Sequence, residues 1–180
     1  MTVAQQLVPP GVWASDALHS SVRFEVGHMG VSTFSAGFVD VDARLLSSPG
    51  GLELRGRVGV ASFDVHDDAL RPHVMAPDFL DVERYPDLTF RSTEIRVNGS
   101  GIGVTGELTV KGTTRRIEAI GSLTGPIVDP YGNDRIAMTL ETVIDRTEFG
   151  LDYQISLPNG ASALANEVKL AVVLELVREG

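Results

Sequence analysis

The chain has 180 residues, of which 43% are hydrophobic, and its 24 acidic against 15 basic side chains give a formal net charge of −9. The length and apolar content suit one folded domain, while the acidic balance excludes the basic surface that nucleic-acid binding requires. There is no cysteine in the sequence, which excludes disulfides, thiolate nucleophiles and cysteine-ligated metal sites.

The first twelve residues end in Pro9-Pro10-Gly11. We expect residues 1–12 to form a loose leader ahead of one domain over residues 13–180. The leader has neither the basic nor the long apolar region of a secretory signal. No stretch of the chain approaches the roughly 18 to 20 apolar residues needed to span a bilayer. We therefore expect a cytoplasmic protein without membrane insertion.

Apolar and polar residues then alternate with a period of two, which is typical of strands with one buried face. The first such strand places Val22, Phe24, Val26 and His28 on one face. The pattern recurs through the rest of the chain and predicts eight strands. They lie near residues 22–28, 39–45, 52–60, 88–97, 102–110, 117–123, 136–144 and 168–176.

Short turns such as Asn98-Gly99 and Lys111-Gly112 join several of these strands. Turns of this length connect neighbouring antiparallel strands. About eight strands in a meander can close into an up-and-down barrel, which leaves no exposed edge. The predicted fold class is therefore all-β, an eight-stranded antiparallel up-and-down barrel.

One long segment, residues 64–85, interrupts the strand pattern. Its composition suits one or two short helical turns broken by Pro72 and Pro77, so we expect a short helical lid segment. A smaller turn is expected over residues 145–151. An eight-stranded barrel holds either side chains alone or one small ligand, and the aliphatic inner faces leave both possibilities open.

The residue patterns do not indicate catalysis or metal binding. The serine-nucleophile pattern Gly-x-Ser-x-Gly does not occur. His66 and His73 lie among acidic residues, but their spacing matches no metal-binding helix and Pro72 interrupts it. We expect His28 to be a buried, hydrogen-bonded structural histidine rather than a catalytic base. The sequence thus predicts no catalytic residue, no metal site and no cofactor.

Five ordered segments between Trp13 and Val177 carry a further signal, and together they resemble the YceI-like proteins, the lipocalin-like polyisoprenoid-binding family. The resemblance covers nearly the whole chain. One departure is Leu70-Arg71-Pro72-His73, where family members often have Arg-Asp-x-His. The matching segments are Trp13 to Val31 (with Trp13-x-x-Asp16-x-x-His19), His73 to Thr93, Gly106 to Arg115, Ile144 to Leu151 and Asn166 to Leu170.

The resemblance implies a lipocalin-like barrel whose apolar tunnel holds a polyisoprenoid chain, such as an isoprenoid quinone or a polyprenyl phosphate. We therefore expect binding, transport or storage of a polyisoprenoid or a similar long-chain amphiphilic lipid, without catalysis. Family members are often dimers, so a homodimer is a possible assembly. The candidate ligand-binding residues are Phe24, Val26, His28, Val39, Val41, Val60, Phe79, Leu80, Phe90, Leu108, Met138 and Leu140.

Two alternatives stay open at this point. One is an enzyme that acts on an apolar substrate inside the barrel, with His28 or a nearby carboxylate as base. The other is a stress-associated protein with a filled core. An anionic head group would need local donors, because the net charge of −9 does not attract an anion over a distance. Candidate donors are Lys111, Arg115, Arg116 and Arg146.

Overall fold

Strands make up most of residues 8–180, the part of the chain that the computed structural model describes. One short helix, α1 (Leu70–Met75), and two 3-10 turns (Val60–Ser62 and Arg146–Phe149) complete the regular structure of these residues. The strands are β1 (Gly11–Ser15), β2 (Ser21–His28), β3 (Ser32–Phe38), β4 (Val41–Ser48), β5 (Gly51–Gly59), β6 (Phe63–Asp64), β7 (Asp87–Asn98), β8 (Gly101–Val110), β9 (Thr113–Val128), β10 (Asp134–Asp145) and β11 (Leu164–Arg178).

Eight strands close into an antiparallel barrel, which confirms the predicted fold class. Their order is β1-β4-β5-β7-β8-β9-β10-β11, and pairing of β1 with β11 closes the ring. The long strand β11 pairs with β1 near Arg178 and with β2 nearer its start, where Val172 lies opposite Val22. Strands β3 and β6 extend the sheet from β2, so the barrel wall is split at one end.

The period-two pattern is visible in the burial of each strand. In β4, Val41, Ala43 and Leu45 are buried, whereas the intervening Asp42 and Arg44 are exposed. The predicted turns also form as expected. Both residues of the Lys111-Gly112 turn have positive φ, 48° and 74°, which is the conformation that suits the twist of a two-residue hairpin.

Three strands were not predicted: β1, β3 and β6. β1 begins at Gly11, inside the segment expected to be a loose leader, and Val8 ahead of it is fully buried. The rest of that leader, residues 1–7, lies outside the described residues. β3 (Ser32–Phe38) does alternate, with Phe34, Ala36 and Phe38 on one face, but its other side chains are small or carry hydroxyls and the pattern was overlooked; the strand pairs with β2.

The expected helical lid segment is present as α1. Pro72 does not break this helix, because it lies in the first turn, where its missing N–H group is not needed. The helix ends at Met75, before Pro77. The smaller turn expected over residues 145–151 is the 3-10 turn Arg146–Phe149, and the carboxylate of Asp145 caps it by accepting a hydrogen bond from the Thr147 amide at 2.9 Å.

Side chains fill one end of the barrel, which we call the packed end. Trp13 is fully buried there, and its indole Nε1 donates a hydrogen bond to the Pro9 carbonyl at 3.0 Å. Strand pairing brings further large side chains together near Trp13, since Met138 lies opposite Leu123 and Leu174. The side chains that define the packed end, all 0–2% exposed, are Trp13, Leu45, Leu123, Ile136, Met138 and Leu176.

Candidate ligand-binding cavity

The other end of the barrel is hollow and contains a cavity of about 500 Å³. This volume lies within the range of about 300–1,000 Å³ that is usual for small-molecule sites. Its wall consists almost entirely of apolar side chains from the inner faces of the strands. Residues of α1 and of the segment 151–163 border it as well. The arrangement suits an apolar ligand with little hydrogen-bonding capacity.

A glycine on the inner face of β5 adds to the space. Gly56 lies between Leu54 and Val58, which share its face, and all three residues border the cavity. A Cβ atom built at Gly56 would have no neighbouring atom within 4 Å. The absence of a side chain here therefore leaves open volume rather than a close contact between strands.

Aromatic rings join the two segments that cover the cavity. His73 of α1 packs edge-on against Phe79 and Tyr153, with ring centroids 5.1 and 4.9 Å apart, and Phe79 lies 4.8 Å from Tyr153. The ammonium of Lys111 donates a hydrogen bond to the Pro77 carbonyl at 2.8 Å and so fixes this cover to the β8–β9 hairpin. We call α1 with residues 76–80 and 151–163 the lid.

Most of the twelve residues that the sequence predicted to bind the ligand border the cavity. That these residues bind a ligand stays a prediction. His28 is among them, but the expectation of a buried, hydrogen-bonded histidine was wrong: the residue is half-buried, and its side chain makes no hydrogen bond or ion pair within residues 8–180. The nine residues that border the cavity are Phe24, Val26, His28, Val41, Phe79, Leu80, Phe90, Leu108 and Leu140.

Three predicted residues do not border the cavity, and the prediction was wrong for each. Val39 precedes β4 in the β3–β4 connection and is 56% exposed. Val60 is fully buried, but β5 ends at Gly59 and the following 3-10 turn carries Val60 off the strand face, with its amide bonded to the Pro86 carbonyl. Met138 points inward but belongs to the packed end.

The largest group of cavity residues that sequence reasoning missed lies in the segment 151–163. Leu151, Tyr153, Ile155 and Leu157 alternate with a period of two and all border the cavity. The segment is not part of any of the strands β1 to β11, yet this alternation was the signal that could have identified its residues as cavity-lining. Phe34 of β3 was missed for the other reason, since its strand was not predicted.

Arg146 is the most buried charged side chain on the cavity wall, at 4% exposure. Its Nε donates a hydrogen bond to the Ala165 carbonyl at 2.9 Å, and its Nη1 donates to the Leu151 carbonyl. Its Nη2 is buried and has no hydrogen-bond partner within residues 8–180. Burial lowers the pKa of this guanidinium from its ordinary value, although arginine remains charged at neutral pH.

The other candidate donors do not border the cavity. Lys111 bonds to the lid at the Pro77 carbonyl, as described above. Arg115 is exposed, and Arg116 is exposed beside Glu118 at 3.6 Å. Of the four cationic residues proposed from the sequence, the structure therefore places only Arg146 at the cavity.

A second cluster of ionisable groups lies at the packed end. Arg135 forms ion pairs with Asp16, Asp129 and Glu175, at 2.8, 2.7 and 2.6 Å. Its hydrogen bond lowers the pKa of Asp16 to about 2 and holds the pKa of Asp129 well below its usual range. Ligand atoms of Asp16, His19 and Glu175 lie close enough together for a metal ion, but both carboxylates already accept hydrogen bonds from the Arg135 guanidinium.

Within residues 8–180, no helix combines the length and apolar character needed to cross a membrane.

Comparison with known proteins gives a consistent result. A family model described as the YceI-like domain matches residues 13–176. A UPF0312 protein of Pectobacterium carotovorum is 27% identical, covering 89% of this chain and 82% of its own, and Protein YceI of Escherichia coli is 26% identical, covering 89% and 83%.

Solved structures share the fold. BcnA of Burkholderia cenocepacia superposes with a TM-score of 0.74 at 23% identity, covering 89% of this chain and 98% of its own. A polyisoprenoid binding domain from Saccharophagus degradans, implicated in plant cell wall breakdown, superposes with a TM-score of 0.71 at 11% identity, covering 94% and 99%.

Proposed function

The chain belongs to the YceI-like family, and from that premise we propose that it binds a polyisoprenoid or a similar long-chain amphiphilic lipid in its cavity, without catalysing a reaction. The observation that carries the proposal is the apolar cavity of about 500 Å³ inside the barrel. The fold shared with a polyisoprenoid binding domain of Saccharophagus degradans supports it. Such a cavity gains affinity by removing apolar surface from water and needs few polar contacts.

The cavity volume indicates the size of the lipid chain. A water-sized group takes about 30 Å³, so 500 Å³ divided by that volume gives room for about 17 carbon-sized groups. This corresponds to about three isoprene units of five carbons each. Each CH₂-sized group that is buried contributes about 0.8 kcal/mol, or roughly a fourfold gain in affinity. Affinity should therefore rise with chain length until the cavity is full.

A role without catalysis is supported by the surroundings of His28. A general base needs a group that orients its imidazole, and His28 makes no ion pair with a carboxylate in the described part of the chain. The lid also covers part of the apolar wall, which suits transport or storage of a lipid. An isoprenoid quinone, a cytoplasmic location and a homodimer stay predictions; extraction of bound lipid, cell fractionation and sedimentation velocity would measure them.

Titration of the delipidated protein with prenyl alcohols tests the proposal. Geraniol, farnesol and geranylgeraniol carry two, three and four isoprene units and compete with a fluorescent fatty acid for the cavity. We expect affinity to rise from two to three units and then to level off, because the fourth unit exceeds the estimated volume. Equal and weak competition by all three alcohols would overturn the proposal.

A further inference from the structure

Arg146 lies where the cavity wall meets the base of the lid. It follows β10 directly, in the 3-10 turn Arg146–Phe149. Its side chain reaches the carbonyl of Leu151, the first residue of the segment 151–163, and that of Ala165, two residues beyond its end. β10 ends at Asp145, which pairs with Glu167 near the start of β11. Arg146 therefore lies at the lid end of the hollow part, far from Trp13 and the packed end.

The positive charge of Arg146 is not neutralised by a carboxylate in the described part of the chain. The neighbouring Asp145 uses its Oδ1 to accept hydrogen bonds from the amide and hydroxyl of Thr147, at 2.9 and 2.6 Å. Asp152 is exposed. Both acids act on Arg146 only as distant charges, and neither forms an ion pair with it. The two backbone carbonyls satisfy hydrogen bonds but carry no net charge.

The other charged groups on the wall differ from Arg146. Arg57 also borders the cavity, but it pairs with Asp40 and Asp87, both at 2.9 Å. Glu141 is mostly exposed and lies 3.7 Å from Lys169. A buried cation without a counter-charge is costly, and arginine binds carboxylate and phosphate oxygens strongly when a second N–H group is free. Arg146 has such a group in Nη2.

We propose that Arg146 binds the anionic head group of the lipid: the apolar tail lies along the cavity wall, and a local rearrangement that uncovers the buried Nη2 lets a carboxylate or phosphate oxygen accept its hydrogen bond. This inference rests on the proposed function and specifies its ligand class as an acidic amphiphile. The same guanidinium also bonds to the carbonyl of Leu151, where the segment 151–163 begins, and to that of Ala165, just after the segment ends. Head-group binding and lid closure therefore involve one side chain.

Pairs of ligands that differ only in the head group test the inference on the unaltered protein. Palmitic acid is compared with hexadecanol, and farnesyl phosphate with farnesol, by competition at pH 8. We expect the acid or the phosphate to bind at least tenfold more tightly than its alcohol, and the pair with the larger ratio identifies carboxylate or phosphate as the preferred head. Equal binding within both pairs would show that Arg146 only anchors the lid.

Variants assign the preference to Arg146. Arg146→Met should reduce the acid-to-alcohol ratio to about one, while the affinity for the alcohol reports whether the cavity is intact. Arg57→Met is the matched control, because it removes a cavity arginine that already has carboxylate partners, and it should keep the ratio. An unchanged ratio in Arg146→Met would overturn the inference. If neither alcohol binds to the unaltered protein, the proposed function itself fails.

Discussion

Replacing Gly56 with phenylalanine tests whether the hollow end of the barrel holds the lipid. The residue lies on the inner face of β5 between Leu54 and Val58, and a Cβ atom there meets nothing within 4 Å. Its φ lies outside the left-handed region that favours glycine, so phenylalanine can adopt the same backbone. The new ring should occupy the cavity without displacing the wall.

The expected loss of affinity follows from the volume. A phenylalanine side chain adds seven carbons, which leaves room for about ten of the 17 carbon-sized groups that the cavity of about 500 Å³ holds. A farnesyl chain of fifteen carbons then leaves about five outside, which costs about 4 kcal/mol at 0.8 kcal/mol each, or about a thousandfold in affinity. A geranyl chain of ten carbons still fits, so its affinity should change little.

The same substitution should stabilise the protein without ligand. Burying the ring contributes about 1.5–3 kcal/mol, which for a domain of this size raises Tm by roughly 3–12 °C. Competition binding and thermal unfolding by circular dichroism measure the two effects. Gly103→Phe is the matched control, because Gly103 also has open space at its Cβ position but lies on the outer face of β8 between the buried Ile102 and Val104. A folded, stabilised Gly56→Phe protein that binds farnesol as before would refute the reasoning.

Three further predictions concern the lid and the packed end. Tyr153→Ala should raise the dissociation rate of a fluorescent fatty acid about thirtyfold, because it removes two aromatic contacts, with Phe79 at 4.8 Å and with His73 at 4.9 Å, each worth about 1 kcal/mol. Tyr131→Ala, at a residue that is 88% exposed, should leave the rate unchanged. Stopped-flow fluorescence measures both rates. Met138→Ala should lower the free energy of unfolding in urea by about 2–5 kcal/mol without changing the longest lipid chain that the cavity accepts. Leu140→Ala, on the cavity wall, should lengthen that longest chain by about three carbons. The same length limit in both variants would contradict the division of the barrel into a packed and a hollow end. Arg135 lowers the pKa of Asp16 to about 2, below the value of about 3.9 in an unfolded chain, so the stabilisation from this ion pair is present above pH 4 and lost toward pH 2. Arg135→Met should lower the urea midpoint at pH 7 and reduce the fall of that midpoint between pH 4 and pH 2. A parallel fall of the midpoint in both proteins would contradict this.

The fold was largely predictable because alternation reports directly on which face of a strand is buried. Val41, Ala43 and Leu45 show this in β4. The pattern misled at Val39, because the alternation runs past the start of the strand. The same pattern was present but overlooked in Ser32–Phe38, where Phe34, Ala36 and Phe38 share one face and Ala36 and Phe38 are buried.

The strands that line the cavity were predictable from the sequence, but how far the cavity reaches along the barrel was not. Phe24 and Leu140 border it as the inner face of their strands requires. Met138 shares the inner face with Leu140, and only the three-dimensional pairing with Leu123 and Leu174 shows that its neighbours fill the barrel there. The isolation of Arg146 depends in the same way on contacts between segments distant in the chain, which no local pattern reveals.

Native mass spectrometry of the purified protein tests the central claim most directly. The account predicts a bound lipid that is released on denaturation, with one chain of about three isoprene units or about 17 carbons per barrel, and its loss from the Gly56→Phe protein but not from Gly103→Phe. A protein that carries no lipid and takes up neither farnesol nor palmitic acid in excess would contradict the account.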